Sequence, residues 1–344
     1  MKSITIPDSV TTIDDYAFSA STQLTDVIIS SSVTEIGIGI FNGCWDLSSD
    51  KVLNNSSVLF GWWVNEHKYK EFGNQTMAQI IEQTGVIDLS QFKNSADKEF
   101  NIIGGNAFED CSNLTSFCVP DSIASIGKSA FRGCEKLEEV IFSQQSKLSD
   151  IGSFAFVDCT SLKSIIIPDS VTEIGDYTFE ECTNLENVKI PNSITRIGNS
   201  TFFKCTNLKG VYIPESAKTI GNGAFYMCTN LTNVMIPENV NKIGEMAFFG
   251  CKNLKIVEFT DQSNLNQIGA NAFSGCMSLV NITLPNSVTT IGENVFSNAG
   301  LTTITIPKKV KIITAGAFEG CAQLQGVFFD EHSELEKIDD NAFA

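Results

Sequence analysis

The residues of this 344-residue chain that could do chemistry are eleven cysteines, two histidines and a surplus of carboxylates. Ten of the cysteines (Cys44, Cys111, Cys134, Cys159, Cys182, Cys205, Cys228, Cys251, Cys276 and Cys321) stand three residues after a phenylalanine. A zinc site wants close pairs such as C-x₂-C with histidine partners, and no pair here has that spacing. Where Cys is missing the same position holds Ser21 and Ala299. The site therefore asks for small volume, which predicts a column of buried free thiols. Parallel side-chain directions within such a column would make disulfide geometry poor.

Nucleophilic catalysis would have to use His67 or His332, and neither lies in a recognisable motif. Both are expected to be solvated. Gly127-Lys128-Ser129 imitates the end of a phosphate-binding loop, but the glycine required five residues earlier is Ser122. Gly37-x-Gly39 lacks the third glycine of a dinucleotide fingerprint, and no D-x-D-x-D-G calcium loop occurs. The reading is no catalytic site, no metal site and no cofactor; an enzyme is not expected.

The elements that carry these residues follow a fixed period. Phenylalanines at 131, 156, 179, 202, 225, 248, 273, 296, 318 and 343 are separated by 22, 23 or 25 residues, and Phe18, Phe41 and Phe108 continue the series upstream. All eight prolines lie eleven residues before one of these phenylalanines. In the unit around Pro191, Leu185, Val188 and Ile190 end in strict alternation and read as a short strand with its apolar residues inward. Proline then stops it, because it cannot donate to a sheet ladder. Ile194, Ile197, Gly198 and Phe202 follow at spacings of three and four, which suits an irregular or 3₁₀-like return and not a long helix. One such turn cannot cover its own apolar residues, so the turns must stack into a solenoid with identical positions about 4.8 Å apart. The three 25-residue repeats, ending at Phe156, Phe273 and Phe343, lack the proline and place their extra residues at one corner.

Segments such as IPDSVTEIGDYTFEECTNLENV and IPENVNKIGEMAFFGCKNLKIV resemble the BspA-like class of leucine-rich repeats, found in bacterial and protozoan surface proteins. The resemblance covers about 280 of the 344 residues. It implies a leucine-rich repeat solenoid, with a curved parallel β-sheet on the concave side, irregular or 3₁₀ returns on the convex side and little helix. It also implies attachment to host proteins, other cells or matrix, and hence a cell-surface or extracellular place.

The expected organisation is residues 1–44 as N-terminal repeats, 45–100 as an irregular Trp-containing insertion, and 101–344 as the main array. The insertion holds all three tryptophans (Trp45, Trp62, Trp63) with His67, Tyr69 and Phe72. Within it QTMAQIIEQ reads as a short helix and VIDLSQF as a strand. Trp and Tyr dominate interface hot spots, so Trp62, Trp63 and Tyr69 are candidate contacts; the alternative is a small packed core bridging the repeats. On the strand face, the residue between the two inward positions should point outward. That column includes Ile141, Ile166, Lys189, Tyr212 and Met235, an apolar stripe interrupted by one lysine and a candidate binding surface. The competing explanation is that Ile and Tyr are simply good strand residues.

The charge balance, 23 Lys+Arg against 40 Asp+Glu for a net −17, argues against a nucleic-acid partner, which requires a basic footprint. No window is apolar enough to span a membrane and MKSITIPDSV does not read as a signal peptide. Seven N-x-[ST] sequons arise largely from the repeat itself. Both ends fall inside repeats, and solenoids need polar caps, so a fragment or end-to-end association through uncapped turns is the expectation. The functional expectation is a module that binds a protein or glycan ligand and serves surface adhesion. The alternative is an intracellular, cytoplasmic scaffold that assembles with other proteins.

Overall fold

The computed structural model describes residues 1–37, 39–47, 51–56, 58–59, 77–94, 96 and 98–344. The chain is a parallel β-solenoid of about 13 turns, divided into two compact units, Met1–Thr160 and Ser161–Ala344.

Each turn has three sides, and the Asn233–Ile236 repeat of the second unit shows how residue type builds them. Asn233–Ile236 is a strand whose Val234 and Ile236 are fully buried while Asn233 and Met235 face out. Its neighbours pair in register on both sides, Val211 with Val234 and Val234 with Val257. Pro237 ends the strand and opens a turn in which the Val240 amide donates to the Pro237 carbonyl at 3.2 Å. All eight prolines start the same turn.

The second side is a two-residue strand that the sequence reading did not contain. Lys242–Ile243 pairs with Thr219–Ile220 and with Gln267–Ile268, so the Ile-Gly signal is itself a second ladder. Most of these isoleucines are followed by glycine, with Asp14, Thr314 and Asp339 the exceptions after Ile13, Ile313 and Ile338, and within the array that glycine relieves a close approach of two turns. At Gly269 a Cβ would lie 2.6 Å from the Glu245 amide nitrogen and 2.6 Å from the Gly244 carbonyl carbon of the turn beneath.

The return side takes a specific irregular form, a run of tight turns with left-handed residues two before and two after the phenylalanine. Met246 (φ 54°) and Gly250 (φ 68°) flank Phe248 in this way. Alternating right- and left-handed residues point successive amides in one direction. The amides of Met246, Phe248 and Gly250 accordingly donate to Ala270, Ala272 and Ser274 of the next turn, each at 2.8 Å. Between the three ladders the phenylalanines stack, 5.4 Å from Phe202 to Phe225 and 5.2 Å from Phe225 to Phe248, with rings within 9° of parallel.

The Met1–Thr160 unit has the same three-sided plan. Its outward sheets are Ser3–Thr5, Asp26–Ile29 and Val52–Asn54, then Val86–Asp88, Ser116–Val119 and Glu139–Phe142. Three short strands of the 45–100 segment therefore lie in solenoid ladders: Val52–Asn54 on Asp26–Ile29, Val58–Leu59 on Ile102–Ile103, and Val86–Asp88 on Ser116–Val119. The helix read from QTMAQIIEQ runs Met77–Thr84 and buries Met77, Ile80 and Ile81, an i, i+3, i+4 face. Gly85 (φ 71°) caps it, its amide donating to the Ile81 carbonyl at 2.9 Å. VIDLSQF is a strand only over Val86–Asp88; Asp88 then caps a 3₁₀ turn, Leu89–Gln91, by accepting from the Ser90 amide.

Candidate functional site

In the Ser161–Ala344 unit the strand side presents two outward residues per turn, one before and one after the inward Val or Ile. Ile166, Tyr212 and Met235, expected to face out, are 66%, 52% and 49% exposed. Tyr212 pairs directly with Met235 across the ladder, and Ile256, 50% exposed, lies opposite Asn233. These rows make Tyr212, Met235 and Ile256 one apolar patch on rigid backbone. Lys189 pairs in register with Ile166, and its Nζ lies 3.7 Å from Asp169 Oδ1. The two edges of the face differ in charge. Exposed Lys163, Lys209 and Lys255 precede their strands, and exposed Asp169, Glu215, Glu238 and Asp261 follow theirs.

In the Met1–Thr160 unit Ile141 is also exposed, and the register sets Cys118 between Asp88 and Ile141. Burial, then the Asp88 and Glu139 carboxylates, push the Cys118 thiol up, so it is a weak nucleophile. Trp62, Trp63 and Tyr69 lie outside the described residues, as does His67. Trp45 is exposed. His332 is exposed, its amide donating to Asp330 Oδ1 at 2.9 Å.

The thiol column does more than fill space. All eleven cysteines are free. Cys205, Cys228 and Cys251 each donate from Sγ to the phenylalanine carbonyl of the preceding turn, Phe179, Phe202 and Phe225, at 3.1 Å. Cysteine thus supplies small volume and a donor together. Burial pushes these thiols well above their ordinary range, so they are poor ligands and poor nucleophiles. Lys128 of the loop-like tripeptide lies over the Phe154 ring, 5.7 Å from its centroid, as part of a return side. Among the described residues no group of His, Cys, Asp and Glu is placed to hold a metal ion.

Two features escaped the sequence reading. Ile256 faces outward in the other column, for which the alternation of the strand was the signal, and Val280 is exposed one position earlier in its turn, where Lys255 stands in the turn before. Phe203, Tyr226 and Phe249 form a half-buried stack on the return side, at 4.6 and 4.9 Å. Their signal was the doubled aromatic at 202–203, 225–226 and 248–249.

A model of the BspA type leucine-rich repeat region (6 copies) matches residues 1–94, 101–231, 149–265 and 253–344. The chain belongs to the BspA-type leucine-rich repeat family. No curated protein matches it. Among solved structures, the pneumococcal vaccine antigen PcpA is 19% identical, with 100% of this chain and 81% of that one covered and a TM-score of 0.52. A leucine-rich cell surface protein of Faecalibacterium prausnitzii is 23% identical, with 96% and 88% covered and a TM-score of 0.47. A leucine-rich repeat protein of T. pallidum is 28% identical over 56% of this chain and 76% of its own, with a TM-score of 0.40. The likeness to PcpA concerns the fold. For a BspA-type repeat, the outward strand face is the part of the turn whose residues change freely from one repeat to the next: Tyr212, Met235, Glu258 and Thr283 share one column. Among the described residues, no helix is long and apolar enough to cross a membrane.

Proposed function

We propose that this BspA-type chain is a non-enzymatic protein-interaction module that binds through its outward strand face and serves adhesion at a cell surface. The observation that carries the reading is the patch of Tyr212, Met235 and Ile256, three large apolar side chains each about half exposed on adjoining rungs. Interface cores favour aromatic residues and Met, and a paired ladder presents them with little ordering cost on binding. Ile166 and Lys189 extend this face, and Ile141 occupies the corresponding column of the other unit. Trp62, Trp63 and Tyr69 join the proposal on residue type, as anchors of a second contact. Adhesion is supported by family membership. The eleven free thiols are the observation that favours the second reading, an intracellular scaffold using the same face.

Two experiments test this. Met235→Asp should leave stability within about 0.5 kcal/mol, as surface changes do, and should abolish capture of the partner that the unaltered chain retains. Unfolding by Met235→Asp would show the inside and outside of the strand to be misassigned. Labelling of the native protein on intact cells by a membrane-impermeant biotin reagent, with a cytosolic enzyme as leakage control, should succeed. Label that appears only after lysis would refute adhesion and leave the scaffold.

A further inference from the structure

Within the Ser161–Ala344 unit the outward ladder is interrupted between 187–189 and 210–212, between 256–259 and 280–284, and between 280–284 and 303–306; the second interruption forms a groove while the other two sides of the turn stay closed. Asn233–Ile236 and Ile256–Phe259 pair over four residues. Among the described residues, however, no main-chain hydrogen bond joins 255–259 to 280–284. Behind the opening, Gln267 and Ile268 still pair with Thr290 and Ile291. The return also holds, with the Asn271, Phe273 and Gly275 amides donating to Glu293, Val295 and Ser297 at 2.8 to 2.9 Å. The opening follows a 25-residue repeat whose extra residues sit in the corner after Phe259, where proline is replaced by Thr260.

Alternate residues of a parallel strand address alternate neighbours. The N–H and C=O groups of Val257 and Phe259 on one side, and of Asn281 and Thr283 on the other, therefore face the opening with no main-chain partner across it. The opening is a groove of about 560 Å3, within the ~300–1,000 Å3 of ligand sites. Met235, Ile256 and Val280 give it apolar walls, and each is close to half exposed. At its end Thr260 Oγ1 is buried without a hydrogen-bond partner. Exposed Lys255 stands at the start of the strand edge, with exposed Glu258 and Asp261 at its finish. An unpaired strand edge is a template for another extended chain. The opposite charges at its two ends select a segment of complementary polarity.

We propose that this groove takes an extended peptide segment of a partner protein as an added strand along Ile256–Phe259. An apolar side chain of the segment lies between Met235 and Val280, an acidic group meets Lys255, and a basic group meets Glu258 and Asp261. This rests on the protein-binding reading above and narrows it to one groove and one ligand chemistry.

The probe is a fluorescent six-residue peptide of alternating valine and threonine, with glutamate first and lysine last, so that a parallel strand sets the glutamate by Lys255. Its twin carries N-methyl groups on alternate amides. Titrated against the full chain by anisotropy, the parent should bind and the twin should bind at least roughly tenfold more weakly, since strand pairing supplies the affinity. Hydrogen exchange should show the Val257, Phe259, Asn281 and Thr283 amides fast in the free chain and slowed at least roughly tenfold by the parent peptide. Thr283→Pro removes an N–H with no internal partner, so it should weaken the peptide at least roughly fivefold while the melting temperature stays within error. No binding of the parent, or equal binding of parent and twin, overturns the proposal. A protein partner lost with Ile166→Asp and Tyr212→Ala, yet indifferent to Thr283→Pro, also overturns the groove while leaving the wider face intact.

Discussion

Phe225→Ala tests whether stability is local to each turn. Phe225 has no exposed surface, stacks on Phe202 and Phe248, and receives the Cys251 thiol on its carbonyl. Losing its buried surface costs about 2 kcal/mol by transfer. The missing ring leaves about 100 Å3, which at ~24 cal/mol per Å3 adds about 2 kcal/mol where the site cannot collapse. Phe202 and Phe248 are held by their own ladder bonds, to Ala224 at 2.8 Å and Ala272 at 2.8 Å, so little collapse is expected. The total of about 4 kcal/mol is close to a thousandfold change in the local opening equilibrium. Since each turn contacts only its neighbours, the loss should fall off within a turn or two. Hydrogen exchange by mass spectrometry reads this directly. The amides of Phe202, Phe225 and Phe248 should exchange about a thousandfold faster, whereas that of Phe296, bonded to Ala317 at 2.9 Å, should not change. Uniform acceleration across Ser161–Ala344 would refute the nearest-neighbour account. A change below about fivefold would refute the assignment of the phenylalanine stack as the core.

Gly269→Ala should cost about 1–3 kcal/mol in denaturant melts, because the new Cβ meets backbone atoms of the turn beneath at 2.6 Å; a neutral result would mean the turns can slide apart. Ser200→Gly should raise stability by roughly 0.5–1 kcal/mol, since Ser200 sits at φ 50° where glycine carries no steric penalty; a lowered midpoint would contradict it. The chain should be alkali-labile. Burial, then the Asp110 charge, push the Cys111 thiol to about 11 against an ordinary 9.0, and burial holds Cys205, Cys228 and Cys276 well above it. A folded pKa above the unfolded one means the native chain keeps protons the unfolded chain releases. That stability is full below about pH 9 and is lost as pH rises toward the folded values, about 2–3 kcal/mol for Cys111 alone. Urea midpoints flat from pH 7 to 8.5 and falling above about 9 are expected, and midpoints still flat at pH 11 would sink the account.

The fold was legible wherever one residue type had to recur at a fixed distance. Phe225, Pro214 and Cys228 mark one turn because a buried ring, a strand stop and a small donor are needed at the same places in every turn. The second ladder was not legible, since Thr219–Ile220 is only two residues long and two residues carry no period. The left-handed positions were hidden for another reason. Tyr16, Lys204 and Met227 occupy them at φ 56–57° although their side chains do not favour that region, so residue preference gave no sign. The ladder bonds of the return hold them there, as in the Lys204 amide to the Tyr226 carbonyl at 2.7 Å. Val52–Asn54 was invisible because no proline follows it and two extra residues separate it from Cys44; Met77–Thr84 was visible because its apolar spacing lies within a single element.

The candidate site was half legible for a reason built into the turn. Reading one outward column found Tyr212 and Met235 and passed over Ile256 on the other, and Val280 at the position before it. The groove between 255–259 and 280–284 could not be read at all, because 280–284 forms no ladder with Ile256–Phe259 although Ile282 and Leu284 keep the inward alternation that pairing would require. The missing proline at Thr260 and the two extra residues lie beside the place, but the ladder also breaks between 187–189 and 210–212, where Pro191 is present and nothing is inserted. A corner insertion leaves the phenylalanine stack intact, 5.3 Å from Phe248 to Phe273, and changes only how the next strand meets its neighbour. In this solenoid the inward columns fix the spacing of the turns, while the strand face closes or opens from one turn to the next without disturbing them.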